Sequence, residues 1–140
     1  MPKQPRPTDG ELEILRVLWR IGPATVRDVH DALCRTRPST GYTTVLKLMQ
    51  IMADKGLVTR DEKSKAHIYR ASIPEEQTQR QLVGDLLDRV FGGSAARLVM
   101  QALSSKKASP GEIAEIRRML DDYTRGEKAS QDGIQKGVQS

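Results

Sequence analysis

The residues with the clearest chemical potential lie near the start of one predicted helix, at positions 41–55. Threonine hydroxyls can donate to a phosphate or lie against a thymine methyl group, a lysine can bind guanine or phosphate, and a glutamine can pair with adenine. An amphipathic helix with these side chains on its outer face predicts a surface that reads a nucleic-acid groove; an ordinary solvated helix face is the alternative. The candidate residues are Tyr42, Thr43, Thr44, Lys47 and Gln50.

Basic residues form a second candidate set around a predicted β-hairpin. Such cations either keep a hairpin tip soluble or, beside a nucleic-acid-binding helix, contact phosphates and orient the protein without reading the sequence. The phosphate role is favoured here because the hairpin directly follows the helix at 41–55. The candidate phosphate contacts are Arg60, Lys63 and Lys65, together with Arg37 in the connection before that helix.

Catalysis and cofactor binding find little support in the sequence. His30 and Cys34 lie four residues apart on a predicted helix, but two ligands do not make a structural zinc site and the chain has a single cysteine. No phosphate-binding glycine loop is found, and no Ser–His–Asp arrangement is suggested. We therefore expect no enzyme activity, no catalytic residue, no metal and no cofactor. Cys34 is predicted to be half-buried apolar filler, and the role of His67, including that of a pH sensor, stays open.

Three predicted helices and a hairpin must position these residues. Thr8 and Glu11 have the spacing of a capping box, which starts the first helix, and Gly56 is placed to end the third. Residues 57–61 and 66–71 have the pattern of two strands joined by a polar turn. Three helices followed by a two-stranded hairpin is the order of a winged helix-turn-helix, in which the third helix enters the major groove of DNA.

The C-terminal half is predicted to be helical and to need a second chain. Residues 75–125 form three helices with wide apolar stripes, yet a fold of this size buries only ~60% of its chain surface and has no disulfide to stabilise it. Two identical chains that pair about a two-fold axis would complete the core; packing of these helices onto the first half is the alternative. The candidate dimer residues are Leu82, Leu86, Val90, Phe91, Leu98, Ile113, Ile116, Leu120 and Tyr123.

Charge divides the chain into two unequal parts. The segment 1–74 has 13 Lys and Arg against 8 Asp and Glu, whereas 75–140 has 10 of each, so the net charge of +5 lies in the first half. This asymmetry favours a polyanionic partner for that half. No apolar run approaches the ~18 residues of a membrane span. The first residues have no secretory signal, so we expect a cytoplasmic protein without membrane insertion.

The segment from Gly41 to Val58 resembles the recognition-helix region of the BlaI/MecI/CopY family of bacterial transcriptional repressors, the penicillinase-repressor type. The first helix, which ends in Trp19, and the segment 24–29 are also similar to that family, and the resemblance covers about residues 8–125. It implies a homodimeric winged-helix protein that binds a palindromic operator, blocks transcription and dimerises through its C-terminal helices.

The resemblance also bears on how such a repressor is released. In the antibiotic-resistance members, a membrane sensor protease triggers cleavage at an Asn–Phe bond in the C-terminal region. The aligned bond here is Gln101–Ala102, which makes it the candidate cleavage site and a sensor protease the candidate partner, although the residues depart from the family's pattern. Copper-responsive members carry a C-terminal CxC cluster, and this chain has no cysteine after Cys34, so metal sensing by that route is excluded.

These features predict a mainly α protein with a small β-hairpin. A winged helix-turn-helix domain occupies 1–73, with a flexible arm at 1–7, and is followed by a helical dimerisation domain at 74–125 and a disordered tail at 126–140. The predicted function is a homodimeric, sequence-specific DNA-binding repressor. A winged-helix module that binds protein rather than specific DNA is the alternative, and salt separates the two because DNA affinity falls steeply as salt rises.

Overall fold

Helices dominate the fold, and the strands form one two-stranded antiparallel sheet, as the sequence predicts. The computed structural model describes residues 6–63 and 65–139, with side chains to residue 126. Most of the predicted arm at 1–7 lies outside this part. The elements, in chain order, are α1 (Asp9–Ile21), α2 (Val26–Cys34), α3 (Tyr42–Lys55), β1 (Val58–Asp61), β2 (Ile68–Ala71), α4 (Glu75–Val90), α5 (Ala95–Ser105) and α6 (Pro110–Gln139).

The first helices begin where short polar side chains can cap them. The Thr8 hydroxyl accepts from the backbone N–H of Glu11, and the Glu11 carboxylate accepts from the N–H of Thr8, so the predicted capping box is confirmed. Thr25 and Asp28 make the same reciprocal pair at the start of α2. These bonds satisfy backbone donors that a helix start leaves unpaired, and they set where each helix begins.

One apolar core lies under α1, α2, α3 and the hairpin. From α3 it takes Val45, Met49 and Met52, which have no exposed surface, while the neighbouring Leu48 is half-buried. The repeat of these residues at three and four positions places them on one side of the helix. The core therefore holds α3 by one face and leaves its other face free.

The hairpin is tied to the helices by backbone hydrogen bonds. Its strands pair in antiparallel register, with Arg60 opposite Tyr69. Ala24, just before α2, forms an isolated bridge with Tyr69, in which each N–H donates to the other's carbonyl at 2.9 and 2.8 Å. Tyr69 is buried. The start of α2 and the second strand are thus fixed side by side.

The chain forms two compact units, residues 1–89 and 90–140. The division falls at the end of α4, whereas the sequence predicts a boundary between 73 and 74. Within the first unit, the indole N–H of Trp19 donates to the carbonyl of Ile73 at 2.9 Å, and Arg6 pairs with Asp85 at 3.0 Å. The first contact connects α1 with the segment just before α4, and the second connects the segment before α1 with α4 itself. The assignment of 74–125 to dimerisation stays a prediction.

The last helix is longer than the sequence indicates. The backbone of α6 is helical to Gln139, through a segment predicted as a disordered tail at 126–140. Glutamine and lysine, which occur three times and twice in this segment, favour a helix, whereas its three glycines disfavour one. The side chains of 127–140 lie outside the description, and the tail in solution stays a prediction. Within the described residues, no helix is both long enough and apolar enough to span a membrane.

Candidate nucleic-acid interface

The outer face of α3 carries the residues that the sequence singles out for groove contacts. Its first residue follows Gly41, whose position as N-cap brings no side-chain hydrogen bond to the helix start. The backbone N–H groups of this first turn, with the positive end of the helix dipole, are therefore open to an anion. The exposed candidates on α3 are Tyr42, Thr43, Thr44, Lys47 and Gln50.

A cleft of about 550 Å³ separates α3 from the hairpin. Its walls come from the start of α2, from one side of α3 and from the hairpin. The structure therefore brings part of the predicted groove surface and part of the predicted phosphate contacts to one place. The charged and polar side chains that line the cleft include Arg27, Tyr42, Gln50, Arg60, Lys65 and His67.

Arg60 is already engaged within the hairpin. It pairs with Glu62 at 2.6 Å, and hydrogen bonds to Tyr69 and then to Glu62 raise the pKa of its guanidinium above the ordinary value. Tyr69 lies opposite it across the sheet. Arg60 therefore gives up part of its bonding capacity before any phosphate arrives.

The two lysines of the turn are exposed and directed to solvent. The backbone N–H of Lys63 donates to Asp61 at 2.9 Å, which shapes the turn and leaves the ammonium group out of that bond. Within the part of the chain that the structure describes, Lys47, Lys63 and Lys65 form no ion pair. Their charges are available to a polyanion.

Arg37 lies apart from these residues. Its guanidinium pairs with Glu13 of α1 at 2.7 Å, and it lines a different cleft, with Arg16 and Arg20. A phosphate at Arg37 would have to compete with that carboxylate. The sequence could not indicate this pair, because Glu13 is distant along the chain.

Two residues of the cleft are not among the DNA contacts that the sequence predicts. Arg27 is exposed on the first turn of α2, and His67 is exposed just before β2. Both reach the cleft because the bridge between Ala24 and Tyr69 brings α2 and the hairpin together. The only local signal for Arg27 is its place near the capped start of a helix, which is common in proteins of every function.

His30 and Cys34 meet at the connection between α2 and α3. The Cys34 sulfur is half-buried, 3.3 Å from Nε2 of His30. Among the described residues, no three His, Cys, Asp or Glu side chains gather as metal ligands do. Rather than simple apolar filler, Cys34 is one member of a hydrogen-bonded group.

The candidate dimer residues leave much apolar surface uncovered within one chain. Val90, Leu120 and Tyr123 are 65%, 58% and 68% exposed, and Leu86 is also exposed. The remaining candidates are half-buried: Leu82, Phe91, Leu98, Ile113 and Ile116. No residue of α5 is buried. Such surface is costly in water and favours a partner of similar character.

The candidate cleavage bond Gln101–Ala102 lies inside α5, and both residues are exposed. A helical backbone has its carbonyl and N–H groups bonded to neighbouring turns. A protease that needs an extended strand would first have to unwind this helix. Cleavage at this bond stays a prediction.

Comparison with known proteins identifies relatives along almost the whole chain. The family model described as penicillinase repressor matches residues 7–122. The penicillinase repressor of Bacillus licheniformis is 25% identical over 131 residues, which cover 91% of this chain and 99% of that protein. The transcriptional regulator BlaI of Mycobacterium tuberculosis is 31% identical over 127 residues, covering 90% and 91%.

Among solved structures, the DNA-binding domain of the repressor BlaI is similar with a TM-score of 0.47 and 24% identity. The match covers 54% of this chain and 90% of that domain.

Proposed function

Because the chain belongs to the penicillinase-repressor family, also known as the BlaI/MecI family of transcriptional repressors, we propose that it represses transcription as a homodimer bound to a palindromic DNA operator. The observation that carries this proposal is the outer face of α3. Short polar side chains and Lys47 are exposed there, while the opposite face is held in the core without exposed surface. A rigid helix with this outer face suits the major groove of DNA.

Direct reading of bases falls to the part of α3 between residues 42 and 50. Thr43 and Thr44 can touch a thymine methyl group or donate to an acceptor, and Lys47 can donate to guanine O6 and N7. Gln50 can pair with adenine, and Tyr42 lies at the start of the helix. Short side chains let the helix approach the base edges closely.

Phosphate contacts hold the protein in place. Lys63 and Lys65 serve here because they form no ion pair within the described chain. Arg27, at the start of α2, lines the same cleft as Lys65 and joins them. Arg60 and Arg37 contribute less than the sequence suggests, because Glu62 and Glu13 already pair with them. These contacts add affinity without choosing the sequence.

The dimer follows from the apolar surface of α4, α5 and α6. When two copies pair, each covers the apolar surface of the other. In such a dimer the two α3 helices enter successive major grooves on one face of the DNA, and the helices lie ~34 Å apart. A two-fold axis in the protein then requires an inverted repeat in the operator.

Binding to DNA from the region upstream of the protein's own gene tests the proposal. Lys47→Ala is expected to lower operator affinity about a hundred-fold, because each of the two subunits loses a base contact and one such contact is usually worth about ten-fold. Arg20→Ala, which removes an exposed arginine of α1 away from α3 and the hairpin, is the matched control and is expected to have little effect. Equal losses for both variants would contradict the assignment of α3 as the reading helix.

The same DNA, titrated across a salt series, tests the class of partner. If each subunit neutralises about four phosphates, the slope of log affinity against log salt is roughly −7 for the dimer. A slope near zero would overturn the nucleic-acid proposal and favour a protein-binding winged helix, whose apolar contacts depend little on salt.

A further inference from the structure

His30 connects the second helix with the start of the reading helix. Its Nε2 lies 2.8 Å from the carbonyl oxygen of Thr40, the residue just before the N-cap Gly41. The ring also meets the Tyr42 ring edge-on, with centroids 5.7 Å apart and planes at 78°. The side chain is 23% exposed, so most of its surface is covered by these neighbours.

The chemistry of these atoms decides which group donates. A carbonyl oxygen can only accept, so Nε2 carries the proton in this contact. The Cys34 sulfur, 3.3 Å from Nε2 and 3.6 Å from the same carbonyl oxygen, lies against the bond and can donate its own S–H to that oxygen. The nearest charged group at the other ring nitrogen is Asp31, whose carboxylate lies 3.8 Å from Nδ1 and is mostly exposed.

The start of α3 has few other ties on this side. Gly41 brings no side-chain cap, and residues 35–39 of the connection are all exposed. The Thr40 N–H bonds to the Arg37 carbonyl at 3.0 Å, which is a contact within the connection itself. Arg37 pairs with Glu13 of α1, and the N–H groups of Thr36 and Arg37 donate to the Leu33 carbonyl. Among the described residues, the hydrogen bonds between this connection and a side chain of α2 are those of His30 and Cys34 to Thr40.

We propose that His30 is a positioning residue, which sets the place and direction of the first turn of α3 through Thr40 and Tyr42. The proposal rests on the function proposed above, since α3 must read DNA for its position to affect recognition. A shift of its first turn moves Thr43 and Thr44 relative to the bases, whereas the number of phosphate-binding cations stays the same. Loss of His30 therefore lowers the preference for the operator over other DNA rather than DNA binding in general.

The test compares full-length His30→Ala, His30→Gln and Asp31→Asn with the unmutated protein, by affinity for operator and for unrelated DNA at one salt concentration. His30→Ala is expected to lower the operator preference about five-fold, the usual effect of one hydrogen bond. His30→Gln is expected to recover most of it, because its amide N–H can donate to Thr40. Asp31→Asn, which changes a neighbouring charge without touching Thr40, leaves the preference unchanged.

Hydrogen exchange provides a second readout that needs no DNA. The Val45 N–H, bonded to the Gly41 carbonyl at 3.2 Å, belongs to the first turn of α3. In His30→Ala it is expected to exchange faster, and in His30→Gln at nearly the unmutated rate, while amides of α1 are unchanged. An operator preference or a Val45 exchange rate that stays unchanged in His30→Ala, or a His30→Gln no better than His30→Ala, would overturn the proposal.

The two proposals fail in different ways. An unmutated protein without operator preference refutes the proposed function, and the exchange rates then still test whether His30 positions α3. Unmutated protein with a clear preference that His30→Ala retains refutes only the role of His30.

Discussion

At the scale of single residues, Glu11 joins two parts of the chain that are far apart in sequence. Its side chain is only 1% exposed, and one carboxylate oxygen accepts from the Thr8 N–H at 2.8 Å. The Lys55 ammonium donates to both carboxylate oxygens at 3.0 Å. A buried charge is costly unless it is paired and hydrogen-bonded, and both conditions are met here. Glu11 therefore ties the start of α1 to the end of α3.

The same contacts set the acid response of this carboxylate. Burial alone raises the pKa of Glu11, but the Thr8 N–H and the Lys55 ammonium outweigh it and hold the pKa below the ordinary 4.5. A lowered pKa means that the ionised carboxylate stabilises the fold above its ordinary pKa. This stabilisation is lost as the pH falls through the lowered pKa, so the sensitive range lies below about 4.5.

Glu11→Gln is expected to lower the free energy of unfolding at pH 7 by about 1–3 kcal/mol, because Lys55 loses its charged partner. The amide still accepts from Thr8, so the cap is retained. In urea unfolding at pH 7, 5 and 3, the gap between variant and unmutated protein narrows only at pH 3. Glu13→Gln, which breaks the exposed pair with Arg37, is the control and costs at most ~1 kcal/mol. A gap as wide at pH 3 as at pH 7 would contradict the assigned role of the charge.

At the scale of elements, the extent of α3 is set by residues within it, and its end determines where the next strand begins. Its buried stripe and its glycine end follow from residue types at fixed spacing, so the sequence predicts the helix to within one residue at its start. Gly56 has φ 84°, the left-handed conformation that ends a helix and that other residues adopt at a cost. This end turns the chain toward β1, and so places the hairpin of β1 and β2 beside α3.

Gly56→Ala is expected to destabilise the protein by about 1–2 kcal/mol through backbone strain alone. No atom lies within 4 Å of the place where the new methyl group would sit, so a clash does not contribute. Gly84 lies inside α4 and also has open space where a methyl group would sit. Gly84→Ala is therefore expected to stabilise the protein by about 0.5–1 kcal/mol. Thermal unfolding of both variants measures the two changes in stability. If Gly56→Ala stabilised the protein as Gly84→Ala does, the result would argue against backbone strain at Gly56.

At the scale of the whole molecule, the two compact units differ in how well each is completed by its own chain. The first contains the apolar core, whereas the helices of the second expose large apolar side chains and α5 buries none. A unit with so little buried surface gains little from folding alone. We therefore expect the C-terminal helices to be stable mainly as part of a dimer.

Leu120→Glu is expected to shift the protein from dimer toward monomer, because a charge at an apolar seam must be desolvated when the chains meet. Arg118→Glu is the matched control, since helical spacing places it on the opposite side of α6. Mass from light scattering or sedimentation across a concentration series measures the shift. If the unmutated protein is monomeric at every concentration, or if the two variants have the same mass, the apolar face of α6 around Leu120 is not the dimer contact.

The sequence by itself determined the class of fold, the family and the order of the elements, though not the length of the last helix. Caps at Thr8 and Thr25, the apolar repeat of α3 and the glycine at its end are local features, and local hydrogen bonds and burial on one face act over a few residues. Tertiary structure alone decided which side chains share a cleft and which charges are already used. The bridge at Ala24 brings Arg27 close to the hairpin, and His30 lies against Thr40. Arg60 is paired with Glu62, and Arg37 is paired with Glu13. Such pairs depend on how the elements pack against one another, and residue spacing within an element carries no record of that packing.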